Sequence, residues 1–163
     1  MKSLIFMRHA KSDWSMPGQK DFDRDLNSRG NTDAPKMGRK LFEMNVKPDA
    51  IYSSPALRAK RTAEYVAEQL KYDPEKIIFV EDIYDASTRT LLMVVHSLND
   101  EYHNVMLFGH NPSLTYLAEA ITKEAIGNIP TAGAVCMEFQ IHSWKEVGEG
   151  NGNLKWFIYP KML

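Results

Sequence analysis

The residues that could do chemistry begin at Arg8-His9, which directly follows the apolar run Ser3-Leu4-Ile5-Phe6-Met7. A second histidine, His110, follows a second such run, Val105 to Gly109. Charge at the end of a buried strand is unusual, because burying an ion is costly unless something pairs with it. Two strand ends on one sheet edge would bring two imidazoles and an arginine to one point, a grouping that suits an anionic, phosphoryl substrate. A third run, Ala50 to Ser53, leads into Ser53-Ser54-Pro55-Ala56-Leu57-Arg58, with Arg58 in the first turn of the helix that follows. After His110, Asn111 suits a helix N-cap and Pro112 the first helical position. Such a helix would turn free backbone N–H groups toward the same edge, where a phosphate could bind.

The elements that must position these residues are legible as alternation. Strand-like runs at 4–7, 50–53, 77–80 and 105–108 are separated by helical patterns at 56–70, 88–98 and 113–122. Alternation of this kind indicates an α/β fold with a mostly parallel sheet, covered on both faces. Two further strands, at 134–141 and 154–159, flank the turn-rich Gly148 to Asn153 and predict a hairpin that makes the sheet mixed. The polar stretch from Pro17 to Gly30 reads as a loop near the site. No internal repeat or boundary divides the chain, so 1–163 is expected to be one domain, and ligands should bind outside the carboxyl ends of its parallel strands.

Composition narrows the class. Of 163 residues, 44% are hydrophobic and 25% charged, as in ordinary globular proteins. The formal charge of -1 argues against a general nucleic-acid binder. It is unevenly spread: residues 1–61 carry 13 Lys or Arg against 7 Asp or Glu, so the basic excess falls in the third of the chain that holds Arg8 and Arg58. The single Cys136 excludes an internal disulfide and suggests a reducing compartment, the cytoplasm. No apolar run approaches the roughly 18 residues of a membrane span, and no secretory signal opens the chain. The five histidines lack zinc-type spacing, so no metal and no cofactor is expected. His96, His103 and His142 have no strand-end placement and read as structural or exposed.

The ordered segments resemble the signatures of the histidine phosphatase superfamily. Arg8-His9-Ala10 resembles its R-H-G/A motif, Ser53-Ser54-Pro55 through Arg58 with Thr62-Ala63 its second motif, and Gly109-His110 its third. More narrowly, the chain is similar to SixA-like phosphohistidine phosphatases in Arg8-His9-Ala10-Lys11-Ser12, in D-x-x-R-x-L at Asp21 to Leu26, in Arg29-Gly30 and in Gly109-His110-Asn111-Pro112. The resemblance implies a phosphoglycerate mutase-like three-layer αβα sandwich. It makes His9 the nucleophile, with Arg8, Arg58 and His110 clamping the phosphoryl oxygens. The arginines disfavour a second proton on the imidazole and so keep it nucleophilic.

Ser15 stands where many relatives carry a phosphate-contacting Asn. Arg24 matches the SixA-like segment, with Asp21 as its orienting partner, although Asp25 replaces the usual Pro after that arginine. Mutase-like relatives place a proton donor after the third strand, where this chain offers Glu81, Asp82 and Asp85 without choosing among them. The absence of one clear acid favours a phosphoramidate, whose leaving nitrogen can take its proton from solvent. The expected activity is therefore a metal-independent phosphohistidine phosphatase acting on a phosphorylated protein. The alternatives are a phosphatase for small phosphomonoesters such as sugar phosphates and a non-catalytic phosphate-recognition module.

Overall fold

The computed structural model describes residues Met1 to Leu163. It contains six strands: β1 (Lys2–Arg8), β2 (Ala50–Ser53), β3 (Ile78–Phe79), β4 (Asn104–Gly109), β5 (Ala134–Phe139) and β6 (Gly152–Ile158). The four α-helices are α1 (Ser28–Glu43), α2 (Leu57–Gln69), α3 (Thr88–His96) and α4 (Ser113–Thr122). One sheet holds all the strands in the order β3-β2-β4-β1-β5-β6. Pairing is parallel from β3 through β1 and antiparallel for β1–β5 and β5–β6, so the sheet is mixed through the carboxy-terminal pair.

The unbroken apolar runs follow from burial on both faces. Successive side chains of β1 go to opposite layers: Leu4 and Phe6 pack with α3 and α4, whereas Ile5 and Met7 pack with α1 and α2. β4 divides in the same way, Val105 and Leu107 against Met106 and Phe108. The result is a helix–sheet–helix sandwich around two apolar layers.

Two elements depart from the sequence reading. The strand expected at 77–80 is reduced to Ile78–Phe79, an edge pair with both side chains exposed. Of that run Ile77 is buried in the core and Val80 packs partly against it. The other departure is α1, a helix absent from the sequence reading. Its core-facing residues include Ala34, Met37 and Leu41 but also Gly30, Asp33 and Gly38, and Pro35 lies inside it. The small residues matter because α1 packs closely on α2: a Cβ at Gly38 would lie 2.9 Å from Gln69 Cβ.

Gly30 has a second reason to be glycine. The first turn of α1 lies on the backbone just beyond β1, where Asn27 N donates to Lys11 O (3.0 Å) and Asn27 Oδ1 caps Gly30 N (2.9 Å). A Cβ on Gly30 would collide with the Lys11 carbonyl oxygen. Gly30→Ala is therefore expected to lower stability by about 1–3 kcal/mol, the usual cost of overpacking. It should also reduce activity by shifting Lys11 and Ser12; thermal unfolding together with phosphatase assays checks both.

Candidate active site

The parallel register levels the carboxyl ends of β1, β4 and β2. Arg8 lies opposite Gly109, and Ser53 opposite Phe108. The ladder continues one residue further, with His9 N donating to Gly109 O (3.1 Å) and Ser54 N to Phe108 O (3.0 Å). The sheet thus places His9, His110 and the start of α2 side by side, and the two imidazole centroids are 5.3 Å apart. α2 is tied to the exit of β1 through Thr62, whose Oγ1 accepts from Ala10 N (2.9 Å) and donates to Arg58 O (2.7 Å).

A cleft of about 230 Å³ opens here, lined by Arg8, His9, Lys11, Ser12, Trp14, Arg24, Arg58, His110, Asn111 and Thr131. No carboxylate is among these residues. A larger hollow of about 330 Å³ lies at the opposite end of the sheet, between Met44, Val46, Lys47, Lys155 and Trp156. It has neither the histidines nor the buried arginines that phosphoryl chemistry needs.

His9 is 8% exposed and its Nδ1 lies 2.8 Å from Ala10 O. A carbonyl only accepts, so Nδ1 carries the ring hydrogen and Nε2 keeps its lone pair. Burial, opposed by the hydrogen bond to Ala10 and reinforced by His110, Arg58 and Arg8, pushes the His9 pKa down to about 3. Burial and Arg58 likewise lower that of His110 to about 4. His110 Nε2 meets Ser54 Oγ at 2.8 Å, while its Nδ1 is buried without a partner.

The arginines are held firmly but incompletely. Arg8 Nη1 donates to Ile129 O (3.0 Å), Arg58 Nη1 to Asp21 O (2.7 Å) and Arg58 Nη2 to Asp21 Oδ2 (2.9 Å). The Nε atoms of both are buried with no acceptor. Buried donors without acceptors are costly. Two guanidinium N–H groups and an imidazole nitrogen in this condition, around one cleft, suit the oxygens of a tetrahedral anion.

Asp21 is the organiser behind the cleft. It accepts from Arg58, from Arg24 Nε (3.1 Å) and from Tyr84 OH (2.8 Å). Burial pulls its pKa up, but the hydrogen bonds from Tyr84, Arg58 and Arg24 outweigh that and hold it at about 2. Arg24 also donates to Ser12 Oγ and stacks on Trp14. The loop carrying these groups is stitched to itself by the Ser12–Leu26 bridge and by Asp13 N donating to Asp25 O (2.8 Å). Asp25, which stands at the position of the usual proline, takes part in this stitching and also accepts from Leu26 N through Oδ1 (2.7 Å).

Of the residues singled out in the sequence, Arg8, His9, Arg58, His110 and Arg24 meet in the cleft, with Asp21 behind them. Ser15 does not: it is exposed, its N–H donates to Asp13 Oδ1 (2.8 Å), and Ser12 lines the cleft instead. Glu81, Asp82 and Asp85 are exposed and line no part of the cleft. From that segment it is Tyr84 that reaches the site, its ring edge-on to His110 at 5.6 Å. The start of α4 also differs from expectation. Leu114 N donates to His110 O (3.2 Å) and Thr115 N to Asn111 Oδ1 (3.3 Å), so these N–H groups are spent within the turn. No three His, Cys, Asp or Glu side chains gather closely enough to hold a metal ion.

The lowered histidine pKa values set a pH dependence of stability. In the unfolded chain both histidines titrate near 6.5; in the folded protein His110 resists protonation to about 4 and His9 to about 3. Between those limits the unfolded state binds more protons, so stability is complete above about pH 6.5 and falls as pH drops. The slope approaches about 1.4 kcal/mol per pH unit for each histidine. Urea midpoints between pH 7 and pH 5 should show this fall, and His9→Gln should roughly halve it; an unchanged slope in that variant would contradict the assignment.

Comparison with known proteins gives a consistent picture. A family model described as the histidine phosphatase superfamily (branch 1) matches residues 4–87, a span holding Arg8, His9 and Arg58. An uncharacterized chloroplastic protein of Arabidopsis thaliana is 25% identical over 98% of this chain and 78% of its own length. The crystal structure of SixA from Agrobacterium tumefaciens superposes with a TM-score of 0.83 at 28% identity, covering 98% of each chain. A protein histidine phosphatase SixA complexed with tungstate shares the fold at a TM-score of 0.79 and 20% identity, again over 98% of each chain.

Proposed function

This chain belongs to the histidine phosphatase superfamily, and from that premise we propose that it is a metal-independent phosphatase that removes phosphate from phosphohistidine on a protein. The observation that carries this reading is the pairing of an unprotonated His9 Nε2 with unpartnered buried donors, in a cleft whose lining contains no carboxylate. His9 Nε2 attacks phosphorus and the substrate N–P bond breaks. The leaving imidazole nitrogen takes its proton from solvent, and the phosphoryl group passes to His9. Water then attacks phospho-His9, releasing inorganic phosphate and restoring the lone pair. Arg8, Arg58 and His110 hold the equatorial oxygens through both steps, supplying by fixed charge what metal ions supply elsewhere.

The carboxylate-free lining favours nitrogen as the leaving atom, because an alkoxide leaving group requires a proton donor at the moment of cleavage. A protein substrate agrees with how the site is built. The cleft lies at the carboxyl edge of the sheet, and the 13–27 segment contributes only Trp14 and Arg24 to its lining, an arrangement that suits a phosphorylated side chain. No helix is long and apolar enough to cross a membrane. The unpaired, buried Cys136 fits a reducing compartment, and we place the protein in the cytoplasm.

The test is phosphate release from a phosphohistidine protein against a panel of sugar phosphates and other phosphomonoesters. The proposal expects phosphohistidine to have the highest kcat/KM. Faster release from a sugar phosphate would make this an enzyme of small metabolites. Binding of phosphorylated protein with no release of phosphate would make it a recognition module. Tungstate, as a phosphate-like oxyanion, should inhibit competitively.

A further inference from the structure

Trp14 is the large apolar side chain of an otherwise polar cleft, and it is 74% exposed. A single exposed apolar residue needs no explanation in general. This one is held in place, however. The Arg24 guanidinium lies 3.5 Å from the centroid of the indole. Arg24 is only 7% exposed and is itself fixed by Ser12 Oγ and by Asp21 Oδ1, at 3.0 Å. One face of the indole therefore rests on a buried cation tied into the phosphate-binding network, the rest of the ring is largely open to solvent, and Trp14 lines the cleft that contains His9. A cation–π contact this close removes the freedom a loop tryptophan would otherwise have.

We propose that Trp14 is a specificity-determining residue whose open face stacks on a planar leaving group, so that the site prefers phosphorus carried by an aromatic ring over phosphorus carried by an alkyl chain. For a protein substrate that ring is the imidazole of phosphohistidine, and to this extent the inference rests on the function proposed above. Stacking needs no hydrogen-bond donor or acceptor, so Trp14 accepts the ring without committing the arginines, which stay free for the phosphoryl oxygens.

The experiment compares wild type, Trp14→Ala and Trp14→Phe on three substrates: a phosphohistidine protein, an aryl phosphate and phosphoserine. Aromatic pairs contribute enough for a change of about 3- to 10-fold. Trp14→Ala should lower kcat/KM by about that factor on the first two substrates, chiefly through KM, and by less than about 2-fold on phosphoserine. Trp14→Phe should keep most of the aryl-over-alkyl ratio. An equal loss on all three substrates would mean that Trp14 only braces Arg24, and would overturn the proposal, as would a wild type with no aryl preference. The two readings separate cleanly. If phosphohistidine is not hydrolysed but the aryl-over-alkyl ratio still collapses in Trp14→Ala, the phosphohistidine assignment fails and Trp14 keeps its role. If phosphohistidine is hydrolysed and the ratio does not move, the reverse holds.

Discussion

Replacing His9 by alanine should abolish turnover, lowering kcat by on the order of 10⁴-fold or more on every phosphorylated substrate, or at least about 5.5 kcal/mol of lost barrier reduction. The size follows from what no other group can supply. His110, the second imidazole of the cleft, has its Nε2 engaged by Ser54 Oγ and its Nδ1 buried, so neither nitrogen is an exposed lone pair ready for attack. The variant should still bind tungstate, because Arg8, Arg24 and Arg58 are held by Ile129, Ser12 and Asp21, not by His9. Two measurements bracket the claim. Rapid acid-free quenching of wild type with labelled substrate should trap an acid-labile, base-stable phosphoryl group, and His9→Ala should trap none. Appreciable turnover by His9→Ala that still forms labelled enzyme would place the nucleophile elsewhere.

The acid limb of the wild-type profile should agree. With the His9 pKa pushed down to about 3 by burial and by the nearby cations, the nucleophile stays unprotonated through the neutral range. Activity should therefore not fall with a midpoint near 6.5, the value of a free imidazole.

Much of this site was legible because its residues sit at strand exits. A run such as Leu4 to Met7 fixes where a buried strand ends, and topology does the rest: parallel strands entering one sheet must present Arg8-His9 and Gly109-His110 on the same edge. What the sequence did not announce depends on tertiary contact. α1 is hard to read because close approach to α2 at Gly38 and to the Lys11 backbone at Gly30 puts glycines among its core-facing positions, and Pro35 lies inside it. The third strand is shorter than its apolar run suggests because Ile78 and Phe79 lie on an exposed edge, where composition does not report burial. Ser15 had the sequence spacing for an oxygen contact, yet the local Asp13 turn captures its backbone and Ser12 takes the cleft. Tyr84 was hidden among three carboxylates. The acidic residues are the natural proton-donor candidates in the sequence, whereas the fold uses the tyrosine to hold Asp21. Trp14 did carry a signal, as a large apolar residue in a polar stretch, but its meaning depended on Arg24 lying across its face.

Arg58→Ala should be the second most damaging change, at about 10³-fold in kcat/KM, the range seen when a preorganised donor or cation is removed from a phosphoryl or oxyanion site. Arg58 is 5% exposed, starts α2 from the carboxyl edge of the sheet, and spends both Nη atoms on Asp21, leaving a buried Nε for the phosphoryl group. Alanine removes that donor and also leaves Asp21 with one cation fewer. Lysine restores the charge but cannot reach the Asp21 carbonyl, its carboxylate and the substrate at once, so Arg58→Lys should recover only part of the loss. Asp21→Asn separates clamp from support. It keeps the charge of Arg58 but loosens Arg58 and Arg24 together, so it should lower kcat/KM less than Arg58→Ala does. The double variant Arg58→Ala/Asp21→Asn should be little worse than Arg58→Ala alone, because the two residues act as one unit. Full additivity would show that Asp21 and Arg58 act independently, and an Arg58→Ala enzyme within tenfold of wild type would show that the phosphoryl group is held without Arg58.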